Sequence, residues 1–389
     1  MGPRGAPLPR DPGGAAVPGA PREASAPLPP PVPDPWRASR RVPLRIGAAE
    51  GLAELEIELD GERRAQFSRR GHAVVDSEGA SASHFVLEPR EFVRMLGRRY
   101  DGPIAVEVRA EGGLRAHAWL DLETYVSGVV AAEVALWNAP TALLEAQAVA
   151  ARSYAVAQLD ARAKQGPRPV LFDSVLDQAF HGHFEGDAAA RARGLDQRLA
   201  KAIETTRGRV LERDGRVLDA RFHASCGGNT ADFASVFTEP DPGAMVSVPC
   251  PGCIAANKPW SHTFAAGDLG QLARRLGLGD RLVSLRPGVR DEQGRWRSAH
   301  VVGSAGERDL SLQDLRRELG WQIWRSGSVR RLWPADGTLG AGGLFVEGVG
   351  HGHGVGLCQN GARALADGGA DFRAILGHYY RGARLARLP

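Results

Sequence analysis

The chain contains 389 residues, of which 43% are hydrophobic and 24% charged, as in a folded protein that can bury a sizeable core. Its formal net charge is only +4, and three of its basic residues are lysines (Lys164, Lys201 and Lys258), so nucleic-acid binding is not indicated. No apolar run approaches the roughly 18 residues that a membrane-spanning helix needs, so no transmembrane segment is expected.

The composition of the N-terminal third of the chain changes near residue 40 and divides it into two segments. Residues 1–40 are rich in proline, glycine, alanine and serine, which cannot bury enough apolar surface to offset chain ordering, and they predict a disordered leader. The leader lacks the apolar h-region of a signal peptide. Residues 41–116 contain alternating apolar segments such as "AELEIELDG" and "HAVVDS", which predict a small β-rich module.

Residues 117–389 are predicted to form the main domain. The segment "NAPTALLEAQAVAARSYAVAQLDARAKQG" consists largely of helix formers, with Pro140 in the first turn and Gly166 after the last, and predicts a long helix. A second helix is predicted at "AAARARGLDQRLAKAIETTRG", a hairpin turning at Asp214-Gly215, and a last helix at "DFRAILGHYYRG". Locally paired strands beside grouped helices predict an α+β fold.

Alternating glycines distinguish the segment "GVGHGHGVGLCQNGA", residues 348–362. If it is extended, one face carries no side chains and the other carries His351 and His353 between two valines. A bare face invites close approach by another backbone or a ligand. The glycines fit no G-x-G-x-x-G register, and no organic cofactor is expected.

Two charged residues lie in apolar surroundings. Glu133 is the one charged residue of "GVVAAEV", predicted to be a buried turn or helix end, where burial without a cation raises the carboxyl pKa as a general acid requires. The alternative is a glutamate that caps the following helix. Arg152 lies among small residues in "AVAARSY", where an arginine is costly unless it is paired or faces a cleft; surface exposure is the alternative.

The segment "FHASCGGNTAD" places Ser225 and Thr230 around Gly227 and Gly228. Paired glycines permit a tight turn with exposed backbone N–H groups, which suit sugar hydroxyls or acetamido carbonyls. A plain structural turn is the alternative.

The chain has four cysteines, Cys226, Cys250, Cys253 and Cys358. A C-x2-C pair with two distant cysteines is the ligand set of a structural tetrahedral zinc site, so zinc is the predicted cofactor. Disulfides in an oxidising compartment and free thiols are the alternatives.

Three blocks in this order resemble the SpoIID/LytB family of peptidoglycan-acting proteins. They are "YVSGVVAAEV...LLEAQAVAARSYAVAQL", "AIETTRGRVLERDGRVLDARFHASCGGNTAD" and "GHGVGLCQNGARALADGG...ILGHYYRGARL". A weaker element, "DQAFHG", lies where the family carries Gln-x-aromatic-x-Gly. One departure is "EVALWNAP", which delays to Pro140 the proline that usually follows the catalytic glutamate and is predicted to alter the loop beside it.

The resemblance implies a SpoIID-like catalytic domain over residues 117–389, with Glu133 at the catalytic position. The implied substrate-binding residues are Arg152, Gln147, Ser225, Gly227, Gly228, Thr230, His353 and Gln359. It also implies a cell-envelope location, periplasmic or extracellular, peptidoglycan glycan strands as the partner, and an association with a cell-wall amidase.

The implied activity is lytic transglycosylation, which needs one carboxylate, whereas a hydrolytic glycosidase needs two. Glu133 would protonate the oxygen between N-acetylmuramic acid and N-acetylglucosamine and then accept the muramic 6-hydroxyl proton, giving a 1,6-anhydro end. The resemblance suggests strands already stripped of stem peptides as the substrate. Glu123 and Glu145 are expected to be exposed, and Asp232 stays a candidate second carboxylate. The alternatives are a non-catalytic amidase enhancer and an inactive wall module.

Overall fold

The computed structural model describes residues 41–166, 169–174, 176–256, 258–334, 337–339 and 343–388. The predicted leader, residues 1–40, lies outside these ranges. Helices and mainly antiparallel sheets are grouped along the described chain, which confirms the predicted α+β class. None of the described helices is both long and apolar enough to cross a membrane.

The first part of the described chain, residues 41–121, consists of ten strands. They are Arg41–Ile46 (β1), Glu54–Leu59 (β2), Arg63–Arg70 (β3), Ala73–Asp76 (β4), Ser81–Ala82 (β5), His84–Leu87 (β6), Val93–Met95 (β7), Arg98–Tyr100 (β8), Ile104–Val108 (β9) and Leu114–Asp121 (β10). One sheet has the order β5-β4-β3-β2-β7-β8, and the other joins β11 (Leu171–Phe172) in the order β11-β1-β10-β9-β6. The predicted boundary between residues 116 and 117 stays a prediction.

Helices follow directly on β10. Helix α1 (Leu122–Glu133) begins there because the Asp121 side chain accepts hydrogen bonds from the backbone N–H groups of Glu123 and Thr124. Helix α2 (Thr141–Ala163) is the predicted long helix, with Pro140 at its N-cap rather than in its first turn, and it packs against α1 in the core. Most of its residues from Leu143 to Val156 are buried, so α2 is the central helix of the domain.

The second predicted helix is two helices. Ala188–Ala192 (α3) and Leu195–Thr205 (α4) are separated at Gly194, whose φ of 64° is left-handed. The predicted hairpin is confirmed: β12 (Arg209–Arg213) and β13 (Arg216–Val217) are joined by Asp214 and Gly215, with φ values of 51° and 75°.

The described residues between 260 and 348, here called the inserted module, form a second hydrophobic core that the sequence had not indicated. Its elements are Trp260–Phe264 (β15), Ala266–Arg275 (α6), Leu282–Pro287 (β16), Ser298–Gly303 (β17), Gly306–Ser311 (β18), Leu312–Leu319 (α7), Val329–Trp333 (β19) and Leu344–Gly348 (β20). Trp324 lies at its centre, against the rings of Trp260, Phe264 and Trp296.

The residues before and after the inserted module in the sequence pack into the main hydrophobic core, which also contains α1 and α2. These elements are Phe222–His223 (β14), Pro251–Ala256 (α5), Leu357–Cys358 (β21), Gln359–Asp367 (α8), Phe372–Tyr379 (α9) and Arg384–Arg387 (β22). Strands β14 and β21 pair in parallel, and β22 pairs with β12. The "SCGG" turn and the glycine-rich segment are therefore brought together by the main domain.

Candidate active site

Glu133 is the last residue of α1, as the sequence predicted for a helix end, and it is half-buried. Its Oε1 accepts a hydrogen bond from the backbone N–H of Ala179 at 2.8 Å, and no cation of the described residues forms an ion pair with it. Burial raises the pKa of the Glu133 carboxyl above its ordinary value, while the Ala179 N–H acts in the opposite direction. The capping alternative is wrong, because α2 has no side-chain cap.

The loop that carries Ala179 is anchored on both sides of it. Asp177 accepts hydrogen bonds from the Tyr154 hydroxyl at 2.8 Å and from two nitrogens of Arg162 at 2.5 and 2.8 Å. Gln178 accepts from the Tyr125 hydroxyl at 3.1 Å. The ring of Phe180 stacks on Tyr125, with centroids 5.5 Å apart. The "DQAFHG" segment is thus a rigid support for the backbone donor that contacts Glu133.

The loop after Glu133, where the sequence departs from the family pattern, forms a 3₁₀ helix, Leu136–Asn138. Arg363 donates to the carbonyl of Asn138, and Arg198 donates to the carbonyl of Ala139. These two guanidinium groups hold the loop, in which the Trp137 side chain is exposed.

Arg152 is fully buried on α2 and forms a bidentate ion pair with Glu123, with Nε–Oε1 and Nη2–Oε2 distances of 3.0 and 2.5 Å. It also donates to the Arg209 carbonyl at 3.0 Å. The expectation that Glu123 is exposed is wrong, and so is surface exposure of Arg152. Of the two environments expected for Arg152, an ion pair or a cleft, the structure shows the ion pair. A role for Arg152 in substrate binding stays a prediction.

Gln147 and Gln359, distant in sequence, lie in contact. Gln147 is buried on α2, and its Oε1 accepts a hydrogen bond from Gln359 Nε2 at 3.3 Å. Within the described part of the chain, Gln147 Nε2 has no hydrogen-bond partner. Gln359 is the first residue of α8, so the two amides join that helix to the centre of the domain.

The glycine-rich segment is not extended, and the expectation of a strand with one bare face is wrong. Positive φ values recur at alternate glycines: 84° at Gly350, 107° at Gly352, 90° at Gly354 and 71° at Gly356. The predicted close approach is confirmed, because His351 exchanges two backbone hydrogen bonds with Ser225, at 2.8 and 3.0 Å. A Cβ on Gly352 would lie 2.8 Å from the Cβ of His223.

His353 lies in an aromatic group. Its ring centroid is 5.5 Å from that of His223 and 5.2 Å from that of Phe237. Its Nδ1 accepts a hydrogen bond from the Val355 N–H at 3.1 Å. Burial lowers the pKa of His353 well below its ordinary value, and His223 adds to this effect. His353 is therefore a neutral imidazole at neutral pH.

The "SCGG" turn has the tight geometry that its glycines predict, with φ of 86° at Gly227 and 132° at Gly228. Thr230 is buried, and its Oγ1 accepts from the Val248 N–H at 2.8 Å, which ties the turn to the following loop. The Ser225 hydroxyl lies 3.2 Å from Cys253 Sγ. Ser225 and Thr230 thus have structural contacts here.

The four cysteines converge. Their Sγ atoms all lie within 4.8 Å of one another, all four residues are buried, and none forms a disulfide in the structure. In a tetrahedral zinc site with Zn–S bonds of about 2.3 Å, the sulfurs lie about 3.8 Å apart, so this spacing fits a zinc ion.

Hydrogen-bond donors surround these sulfurs. The backbone N–H groups of Cys226 and Gly361 lie 3.3 and 3.4 Å from Cys358 Sγ, and that of Gly228 lies 3.4 Å from Cys226 Sγ. The Tyr379 hydroxyl lies 3.2 Å from Cys250 Sγ. Donors directed at sulfur suit thiolates, the form in which cysteine binds metal.

Several of these positions were not singled out by motifs. Tyr379 lies in the quoted "HYY" sequence without a predicted role, and Glu123 was set aside as exposed. The sequence holds one signal for the role of Glu123. A buried arginine such as Arg152 requires an acidic partner, and Glu123 on the preceding helix is one candidate.

This chain is similar to several known proteins. The family model described as SpoIID, Stage II sporulation protein, matches residues 110–212, which include Glu133, α1 and α2. The chain is 27% identical over 334 residues to the Stage II sporulation protein D of Bacillus amyloliquefaciens, covering 82% of this chain and 88% of that protein. For the protein of the same name from Bacillus subtilis, the identity is 27% over 277 residues, covering 69% and 75%.

An uncharacterized protein of Brachyspira hyodysenteriae is 29% identical over 267 residues, covering 68% of this chain and 66% of that protein. The fold, the motifs and these matches together support the SpoIID family for this chain, whose family model matches residues 110–212.

Proposed function

We propose that this protein is a peptidoglycan lytic transglycosylase, a glycan-strand lyase that cleaves the bond between N-acetylmuramic acid and N-acetylglucosamine without water. Similarity to the SpoIID family supports a cell-wall-related function. The observation that carries the specific activity is the environment of Glu133. Its carboxyl has a pKa raised by burial, one backbone donor, and no cationic partner among the described residues.

In the proposed reaction, the protonated Glu133 carboxyl donates its proton to the glycosidic oxygen as the bond to the anomeric carbon of muramic acid breaks. The resulting carboxylate accepts the proton of the muramic 6-hydroxyl, whose oxygen bonds to that anomeric carbon. One C–O bond breaks, one forms, and Glu133 regains its proton. The products are a 1,6-anhydro-muramic end and a new N-acetylglucosamine 4-hydroxyl end.

The surrounding carboxylates support a mechanism with a single acid. Asp177 is the acidic residue nearest in sequence to Ala179, but both of its oxygens accept hydrogen bonds from Arg162 and others from Tyr154 and the Phe172 N–H. Asp232 is engaged by the Ser247 N–H at 2.7 Å, in the loop after the "SCGG" turn. Both oxygens of Asp177 and one oxygen of Asp232 are thus occupied by hydrogen bonds within the fold, which disfavours these residues as a nucleophile or base.

Digestion of purified glycan strands, with and without stem peptides, tests the proposal by mass spectrometry of the products. Anhydro-muramic ends are expected, each one water lighter than a reducing end. Products that gain one water per cut would identify a hydrolase. A second outcome is that the protein leaves the strands intact but makes an added cell-wall amidase release stem peptides faster than the amidase does alone. That outcome would identify the non-catalytic amidase enhancer. The proposed substrate places the protein in the cell envelope.

We further propose that Cys226, Cys250, Cys253 and Cys358 hold one structural zinc ion. Their mutual spacing and the donors directed at their sulfurs support this assignment. Four sulfur ligands leave no open position for water or substrate, so the ion would stabilise the fold and take no part in the reaction. It would fix the "SCGG" turn, the start of α5 and the start of α8 to one point.

A further inference from the structure

A cavity of about 440 Å³ lies between the "SCGG" turn and the inserted module. Gly227, Gly228 and Asn229 line one side, together with Ile254 of α5. Residues 293–295 and 328–330 of the inserted module line the other side. Neither Glu133 nor Ala179 is among its lining residues. Its volume is in the range of sites that hold small ligands.

The charged side chains at this cavity include two arginines, Arg295 and Arg330, whereas no aspartate or glutamate lines it. Cys226, a proposed zinc ligand, also lines it, and the buried Arg295 interacts electrostatically with that cysteine. Arg295 is buried, and its Nη2 donates to the carbonyls of Cys226 and Asn229, so it forms a fixed part of the wall. Arg330 is exposed and forms no ion pair within the described part of the chain. Arg330 is therefore the cation at the rim that no carboxylate of the lining opposes, and it favours an anionic ligand.

The remaining lining combines amides with a small apolar surface. Asn229 and Gln293 are exposed side chains that can both donate and accept hydrogen bonds. Ile254 is 57% exposed, which is unusual for a large aliphatic residue, and Val329 lies on the facing wall. A ligand that matches this set carries a carboxylate, an amide and a methyl group close together.

We propose that this cavity binds the carboxylate and the neighbouring N-acyl group of a muramoyl unit of peptidoglycan. The inference rests on the proposed function, which makes muramoyl glycan the substrate, and adds a site that recognises the muramic residue. Two parts of peptidoglycan offer this chemistry. One is the free lactyl carboxylate of a stripped muramic acid, and the other is a carboxylate of the stem peptide.

The test uses the full-length Glu133→Gln variant, so that binding is measured without turnover. N-acetylmuramic acid, N-acetylmuramoyl-L-alanyl-D-isoglutamine and N-acetylglucosamine are titrated, and the side-chain amide signals of Asn229 and Gln293 are followed by NMR. We expect the two muramoyl compounds to shift these signals and N-acetylglucosamine, which has no carboxylate, to leave them unchanged. Tighter binding of the first compound indicates the lactyl carboxylate, and tighter binding of the second indicates the stem peptide.

Arg330 and Arg331 provide a matched pair of variants. Both are exposed on β19, but Arg331 does not line the cavity and lies over the ring of Phe345. We expect Arg330→Gln to weaken muramoyl binding about fivefold to tenfold, because a charge-assisted contact is lost, and Arg331→Gln to leave it unchanged. Equal affinity in the two variants, or equal shifts with N-acetylglucosamine, would overturn the proposal.

The two proposals fail separately in these experiments. Muramoyl binding by a wild-type protein that cuts no glycan would reject the transglycosylase and retain the cavity assignment. Anhydro products from a protein whose Asn229 and Gln293 signals never shift would reject the cavity and retain the enzyme.

Discussion

Glu133 and Ala179 are joined by a hydrogen bond of 2.8 Å from the Ala179 N–H to the Glu133 carboxylate, across 46 residues of sequence. Glu133 ends α1, whereas Ala179 lies in a loop held by Asp177 and Gln178. The position and the proton affinity of the candidate acid therefore depend on two separate elements of the fold.

Replacing Glu133 by glutamine is expected to lower the rate of glycan cleavage about a hundredfold or more, because the amide is nearly isosteric but exchanges no proton. Anhydro ends counted by mass spectrometry give the rate. Glu145→Gln is the matched control, since Glu145 is a half-buried glutamate of α2 with a pKa also raised by burial. A Glu133→Gln rate within about threefold of wild type would remove Glu133 from the mechanism.

The rate should fall as pH rises through the raised pKa of Glu133, because the general acid must hold its proton. The stability of the folded protein should also depend on the ionisation of Glu133. At low pH Glu133 is neutral in the folded and unfolded chains; at higher pH the unfolded chain ionises first, so the wild type loses stability relative to Glu133→Gln. Melting temperatures of both proteins from pH 4 to pH 8 check this. A wild type that gains stability relative to Glu133→Gln as pH rises would contradict the assignment.

Asp177→Asn is expected to loosen the loop that carries Ala179, because the amide cannot accept all the hydrogen bonds that Arg162, Tyr154 and the Phe172 N–H now donate. Loss of the Ala179 hydrogen bond removes an effect that lowers the Glu133 pKa. The basic limb of the pH–rate profile should then move to higher pH while the rate decreases. A lower rate with an unchanged limb would show that Asp177 acts otherwise.

Local features of the fold could be predicted from the sequence, and long-range pairs could not. Helix α2 and the Asp214-Gly215 turn are encoded by neighbouring residues. The Arg152–Glu123 ion pair joins residues 29 apart on two helices, and neither segment shows which charge it will meet. The inserted module has the same turn and strand signals as its surroundings, so nothing local indicated a second core.

The glycine-rich segment shows why a correct observation led to a wrong conformation. A period of two is typical of a strand, but glycine also adopts positive φ at little cost, and here it does so at Gly350 and Gly352. Packing against Ser225 and His223, which are distant in sequence, determines which of these two conformations the segment adopts. The candidate site residues were predicted from motifs, but their contacts could be found only from the fold.

Removing one partner of the Arg152–Glu123 pair is expected to lower the free energy of unfolding by about 3–5 kcal/mol, because the other charge stays buried. Arg152→Met and Glu123→Leu test this by urea unfolding. The double variant should lose less than the two single variants combined, since no charge is left unpaired. Additive losses, together with weaker glycan binding by Arg152→Met alone, would favour a direct role of Arg152 in substrate binding.

The zinc proposal is tested most directly at a residue that is not a ligand. Protein purified without chelator is expected to contain about one zinc per chain, with thiolate ligands that release protons on binding. A Cβ on Gly361 would overlap both Cys250 Sγ and the Tyr379 hydroxyl, so Gly361→Ala should displace a ligand without removing any sulfur. Zinc content and melting temperature should both fall, as they should in Cys250→Ser.

Gly369→Ala is the matched control for Gly361→Ala, because no atom lies within 4 Å of the position that its Cβ would occupy. Its φ of 91° makes some loss of stability expected, but its zinc content should equal that of the wild type. The comparison therefore separates backbone strain from loss of the metal. A metal-free wild type that is two or four mass units lighter than the all-thiol chain would show disulfides instead. In that case the four sulfurs would join the same segments by covalent bonds, and Gly361→Ala would alter pairing of Cys250 rather than metal content.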